Sequence, residues 1–199
     1  MKVLLVESKS GVGKTAADRL AEAGHDVVRC FEDEDEEAVA CRGAMGEPCP
    51  VDDGVIDVAV LVRDGESRAQ LTEMGAVCAL RRHVPVAELG SDQAGPFGEL
   101  VDAIDADVTA VAEFAVAAGL DAFGAAVTRT LSTLPALADR APGEYSAQVL
   151  RQDGAVNVVL SLPSDLGDLG VASAVTWAAR AARDYDGVSA VIDISVRRT

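Results

Sequence analysis

The amino-acid sequence predicts an α/β protein: a doubly wound five-stranded parallel sheet followed by a smaller ββαβ domain. Three observations carry that expectation. Apolar runs without alternation, "VLLV" at 3–6, "VIDVAVLV" at 55–62 and "VPVAEL" at 84–89, are what strands buried on both faces require. Helical segments separate these runs, so the connections are crossovers of the right-handed kind. After a stretch with Pro142 and Gly143 the grammar changes, and two short segments flank Asp153 and Gly154, the pair that suits a type I′ hairpin.

Taken in order, the run 3–6 ends at Glu7 and a Ser/Gly-rich turn. A helix is expected over about 14–23, with Ala17, Leu20 and Ala21 inward and Gly24 stopping it, and the second strand over 26–30. The stretch 31–54 combines an acidic run at 32–37 with Gly43, Gly46, Pro48 and two cysteines, and has no helical stripe. The third strand is 55–62, a short helix is expected over 78–83, and the fourth strand is 84–89. A further short helix is expected over 97–104. Alternating Val and Ala at 108–112 fit either period and are read as the fifth strand. Phe123, Val127, Leu131 and Leu134 then mark a last helix over 120–134, ended by Pro135.

In the second domain, 145–151 and 155–162 form the hairpin. Ser164 or Asp165 caps a helix with Val171, Val175, Ala178, Ala182 and Tyr185 as its stripe, and 188–196 closes as a strand. The domain limits are therefore 1–134 and 144–199, with 135–143 the linker. A unit this small needs its bare sheet face covered by the first domain or by a second copy.

The bulk numbers narrow the function. A net charge of −16 and a pI of about 4.4 leave no broad cationic surface for nucleic acid or anionic membranes. The N-terminal "MKVLLVES" is too short in apolar residues for a signal peptide or a spanning helix, so a cytoplasmic location is expected. Two histidines, with no H-x-x-x-H or G-x-S-x-G motif, leave no residue to assign as catalytic. The expected partner is another protein or a second copy of the chain.

Chemistry concentrates in Cys30, Cys41, Cys49 and Cys78, all in the first half of the chain. Ligands of a doubly wound sheet gather at the carboxyl ends of its strands, and all four cysteines are expected near that edge. The spacing C-x10-C-x7-C-x28-C has no C-x2-C knuckle. Four thiolates suit zinc or an iron–sulfur cluster, and Cys49-Pro50 leans toward the cluster. A redox dithiol and unrelated buried cysteines are the other two readings. Arg81, Arg82 and His83 follow Cys78 and either balance thiolate charge or form a solvated helix end. His25 reads as a turn residue, and Trp177 as a core or interface anchor.

"MKVLLVES", "AGHDVVRC" and "IDVAVLV", with a helix of matching length after the first string, resemble the receiver domain of bacterial response regulators over about the first 130 residues. That resemblance implies a flavodoxin-like sheet of order 2-1-3-4-5 and a signalling role. It also places the phosphoacceptor aspartate at Val62, the magnesium-binding acidic pair at Glu7 and Ser8, and the usual lysine near Glu113. The chain therefore reads as a pseudo-receiver without aspartyl phosphorylation; Asp64 would serve only after a register shift. The C-terminal unit is similar in topology to alkaline-shock-protein and BON-type modules, which bind partners.

"KSGVGKT" at 9–15 sits where a phosphate loop must be, and resembles the signature-lysine form of the ParA and MinD ATPases. In that alternative, the backbone of Ser10, Gly11 and Gly13 cradles phosphates, Lys14 bridges the terminal ones and Thr15 ligates magnesium. The chain departs from the motif at Ser8, which replaces the first glycine, in the short helix, and at Val62, where an aspartate is needed; the other "hhhD" string ends at Asp193. The plain alternative is a tight βα turn, and a dimeric scaffold is the third functional reading.

Overall fold

A computed structural model describes residues 1–31, 41–52, 55–65, 68–90, 95–104, 107–152, 155–187 and 189–199, without the side chains of 44 and 45. The acidic run at 32–37 and the Asp153-Gly154 turn lie outside the described residues. Contacts divide the chain into two compact units, Met1–Gly119 and Leu120–Thr199.

The first unit is a flavodoxin-like α/β fold. Its strands are β1 (Lys2–Glu7), β2 (Asp26–Arg29), β3 (Val58–Val62), β4 (Val86–Leu89) and β5 (Ala103–Ile104), all parallel in the order β2-β1-β3-β4-β5. Helices α1 (Lys14–Glu22) and α2 (Met74–Arg81) follow β1 and β3. Alternation along β1 explains why the strand is apolar throughout: Val3 and Leu5 enter one core with Leu20, Val58 and Val60, while Leu4 and Val6 enter the other with Ala59, Leu61, Ala76 and Ala79. Burying each such Val or Leu contributes about 1.5–3 kcal/mol.

Several expected elements change. The helix after β3 is Met74–Arg81, led in by a 3-10 turn at Leu71–Glu73, rather than 78–83. A reciprocal Gln70/Glu73 capping box closes the 3-10 turn, and the helix runs on from it at Met74, so Cys78 lies inside the helix instead of opening it. The region 97–104 forms a 3-10 turn, Gly98–Leu100, and then the two-residue β5, which takes the edge position assigned to 108–112. Residues 108–112 instead begin α3 (Val108–Leu131), which absorbs both that segment and most of 120–134. Alanine and leucine favour helix, and no proline interrupts them, so one continuous helix wins over the alternating reading.

Helix α3 is long and apolar enough to cross a membrane by length and composition. Seven of its apolar residues lie in protein cores, Val108, Val111, Ala112 and Ala115 in one of the first unit, Phe123, Val127 and Leu131 in that of the second, while Phe114 is 63% exposed.

The second unit contains β6 (Ser146–Gln152), β7 (Ala155–Leu162), α4 (Asp168–Tyr185) and β8 (Val191–Arg198). Strands β6 and β7 are antiparallel, β7 and β8 parallel, in the order β6-β7-β8. The stripe on α4 buries Ala174, Ala178 and Ala182 against Val156, Val158 and Leu160, with Phe123 and Tyr185 stacked at a centroid distance of 4.3 Å. The helix starts from Gly167 with no side-chain cap, not from Ser164 or Asp165; Asp165 pairs with Arg140 instead. Leu137, in the stretch read as a linker, is fully buried in this unit's core.

Candidate functional site

The carboxyl edge of the first unit's sheet gathers three groups of interest. The four cysteines belong to one hydrophobic cluster: Cys30 is buried, and Cys41, Cys49 and Cys78 are half-buried against it with Phe31, Leu80 and Phe97. Cys30 arrives at the end of β2, and its carbonyl accepts the Arg42 N–H at 3.1 Å, which holds the Cys41 segment alongside. Gly75 lets α2 descend on Cys30, since a Cβ there would lie 3.0 Å from the Cys30 Sγ and 2.9 Å from Val6. Gly43 faces Cys49, where a Cβ would sit 3.2 Å from the Cys49 Cβ. Cys49 begins a turn closed by the Asp52 N–H, and the Asp52 carboxylate pairs with Arg82 at the end of α2, one turn beyond Cys78.

Electrostatics agree with that convergence. Burial pushes the Cys30 thiol up to about 12, and the charges of Cys49, Cys41 and Cys78 push it the same way. Burial also raises Cys78, with Cys49 and Cys41 adding to the shift and Arg81 opposing it. All four thiols are free, and among the described residues no three Cys, His, Asp or Glu side chains are grouped so as to hold a metal ion.

The second group is a buried ion node that the sequence reading missed. Arg63, immediately after β3, donates to Glu73 at 2.6 Å and lies 4.0 Å from Glu88; all three side chains are withdrawn from water. Arg63 also donates to the Arg68 carbonyl at 2.8 Å, and Glu73 accepts the Gln70 N–H at 2.6 Å. Glu88 accepts the Gly95 N–H at 3.1 Å through one oxygen, while its other oxygen is buried without a hydrogen-bond partner. Burial holds the Glu88 carboxyl above the ordinary range, against the pull of Arg63. A signal existed: Glu88 is a carboxylate inside the otherwise apolar "VPVAEL" strand.

The third group is the loop at 9–15. Three of its backbone donors have partners: Val12 N–H to the Lys9 carbonyl, Lys14 N–H to the Gly11 carbonyl, both at 3.3 Å, and Gly13 N–H to the Glu7 carboxylate at 2.6 Å. Glu7 thus takes the place at the start of α1 where a phosphate oxygen would be read, and its other oxygen faces Arg29 at 3.6 Å. Ser10, Gly11, Lys14 and Thr15 are exposed.

Val62 occupies the end of β3, in register with Glu7 and Leu89, and Ser8 is buried, accepting the Asp64 N–H at 3.0 Å. Asp64 itself is exposed, as are Glu113 on α3 and His83, and Trp177 is 41% exposed on α4, outside its unit's core. No protein-family model matches the chain, and no curated protein matches its sequence.

Proposed function

We propose that this chain is a non-enzymatic regulatory or adaptor protein, a pseudo-receiver whose input is a thiophilic metal or redox state at Cys30, Cys41, Cys49 and Cys78. The observation that carries the reading is the convergence of four thiols from four separate segments on one hydrophobic cluster at the carboxyl edge of the sheet. Buried cysteines also serve as small apolar side chains, and what favours a site is that these four come from separate segments next to the edge where this fold keeps its ligands.

The rest of that edge favours signalling without phosphotransfer. Val62 has no carboxylate for a phosphoryl donor, Ser8 replaces one metal-binding acid, and the neighbouring charges of Arg63, Glu73 and Glu88 are engaged with one another. The output is a protein contact, with the small ββαβ unit as the interaction module and the cytoplasm as the compartment. Nucleotide binding through Lys14 and Thr15 is less favoured, because the Glu7 carboxylate already takes the Gly13 N–H at the start of α1 and two carbonyls take those of Val12 and Lys14.

The test is metal analysis and visible spectroscopy of anaerobically purified full-length protein beside Cys41→Ser/Cys49→Ser, with incubation in acetyl phosphate as the control for phosphorylation. Stoichiometric metal lost in the variant, together with no phosphoprotein, is the expected result. A metal-free protein whose four thiols show no redox-dependent change in state overturns the reading.

A further inference from the structure

The sheet of the second unit has two edges, and the fold treats them differently. On β6 the outer edge is closed by α3. The Ala147 N–H donates to the Thr128 hydroxyl at 2.9 Å, and Gly124 lies so close to the Ala147 carbonyl that a Cβ would stand 2.6 Å from its oxygen. On β8 no strand pairs with the outer edge among the described residues. That edge is eight residues long and has no proline, with Val191 49% and Val196 38% exposed. Unpaired edges of this kind are templates for another strand, which is why proteins that do not use them shorten, bend or cover them.

The backbone of β8 decides which groups face outward. Thr199 donates to the Leu162 carbonyl at 2.9 Å and accepts the Ser164 N–H at 2.9 Å, so it bonds toward β7. Facing alternates along a strand, and the register with β7 is unbroken from Val191 to Arg198. Asp193, Ser195 and Arg197 therefore bond inward as Thr199 does, while Ile192, Ile194 and Val196 turn their N–H and C=O groups outward. The side chains divide in the same way. Ile192 and Ile194 pack on the unit's core, whereas Asp193 and Arg197 are exposed on the other face, where Ser195 donates to Asn157 Oδ1 at 3.2 Å.

We infer that β8 pairs with β8 of a second copy of this chain, antiparallel about a two-fold axis at Ser195. Charge selects the register. With the axis at Ser195, Asp193 of each copy faces Arg197 of the other, Ile194 faces Val196, and Ser195 faces itself. Moving the axis by one residue breaks both ion pairs, and moving it by two sets Asp193 against Asp193 or Arg197 against Arg197. Backbone and charge agree on this register. Ile194 and Val196 exchange their outward N–H and C=O groups, and Asp193 and Arg197 become the closer, non-hydrogen-bonded pair, with Cα atoms about 4.5 Å apart. Arg197 keeps one bond to the Ser161 hydroxyl at 2.9 Å and has further donors for the facing carboxylate. The two-fold consumes both free edges while β6 stays covered by α3, so assembly stops at two. This rests on the reading of the ββαβ unit as the interaction module and gives that module its partner.

The experiment is sedimentation equilibrium of the full-length chain in reducing buffer over a range of concentrations, beside Asp193→Arg, Arg197→Asp and the variant carrying both changes. The expected result is a concentration-dependent dimer, weakened about fivefold or more by either single reversal and restored by the double one, because two facing pairs change sign together. Val196→Pro removes an outward N–H and keeps the ladder to β7, so it is expected to give a monomer. Circular dichroism checks each fold. The charge and proline variants probe side chains and backbone separately, so one that fails to fold leaves the other to decide. A monomer at every concentration overturns the inference and leaves the edge to a strand from another protein. A dimer that neither the reversals nor Val196→Pro weakens also overturns it, since the contact then lies elsewhere. Neither outcome touches the thiols of the first unit, which the metal analysis tests on its own, so the two failures can be told apart.

Discussion

Arg63 donates its Nε hydrogen to Glu73 across 2.6 Å, with the two side chains 2% and 0% exposed, directly beyond the strand end where the resemblance places a phosphoacceptor. Glu88 stands on the other side of the same guanidinium. A charge so placed stabilises only as part of a complete set, since each ion has given up its hydration.

Removing Arg63 therefore strands two buried carboxylates. Arg63→Met is expected to cost about 3–5 kcal/mol in urea unfolding, the range for breaking a buried pair from one side. Replacing Arg63, Glu73 and Glu88 together with apolar residues of similar volume is expected to restore most of that stability. A triple variant as unstable as the single one would contradict this account of the node.

Glu88 makes stability depend on pH in a stated direction. Its carboxyl is held above the ordinary value by burial, so the unfolded chain loses this proton first as pH rises. The contribution is fully present at low pH and declines as pH climbs from the ordinary carboxylate range through the raised folded value. Glu88→Gln keeps a hydrogen-bond acceptor for Gly95 and carries no charge. Its stability relative to the parent chain is expected to improve as pH rises out of the ordinary carboxylate range toward the raised folded value, measured by urea midpoints. A difference that stays constant over that interval would show that the carboxylate pays no burial cost.

Cys30 is expected to be the slowest of the four thiols to react. With its thiol pushed up to about 12 by burial and its three neighbours, only about one molecule in ten thousand carries the Cys30 thiolate near pH 8. Alkylation by iodoacetamide, followed by peptide mass spectrometry, should label Cys30 last in the native apo-protein and at the rate of the others in denaturant. The same shift means that stability present below the ordinary thiol range is lost as pH rises through it toward 12. Equal native rates at all four positions would place Cys30 outside the buried cluster.

The legible part of the fold was carried by local chemistry. Continuous apolar runs at 3–6, 55–62 and 84–89 reported strands buried on both faces, and Gly24 marked the end of α1, because such signals act over a few residues. Between 97 and 134 local chemistry misled. Val and Ala satisfy both periods, so 108–112 reads as the fifth strand, several residues late, and only the C-terminal part of α3 reads as helix.

The site divides along the same line. Residue types and their place in the fold class marked the four cysteines as candidates, since thiols at the carboxyl edge of a parallel sheet are legible from the strand order. What only the tertiary structure decided is which groups meet. Glu7 reaches the Gly13 amide within the loop that looked ready for phosphate, and Arg63 joins Glu73 to Glu88 across two connections. The Arg42 N–H ties the Cys41 segment to Cys30, and Gly43 and Gly75 let the chain approach Cys49 and Cys30 closely. Such pairings depend on where chain crossovers bring distant segments and on the desolvation that burial imposes there, and neither is a property of a short stretch of sequence.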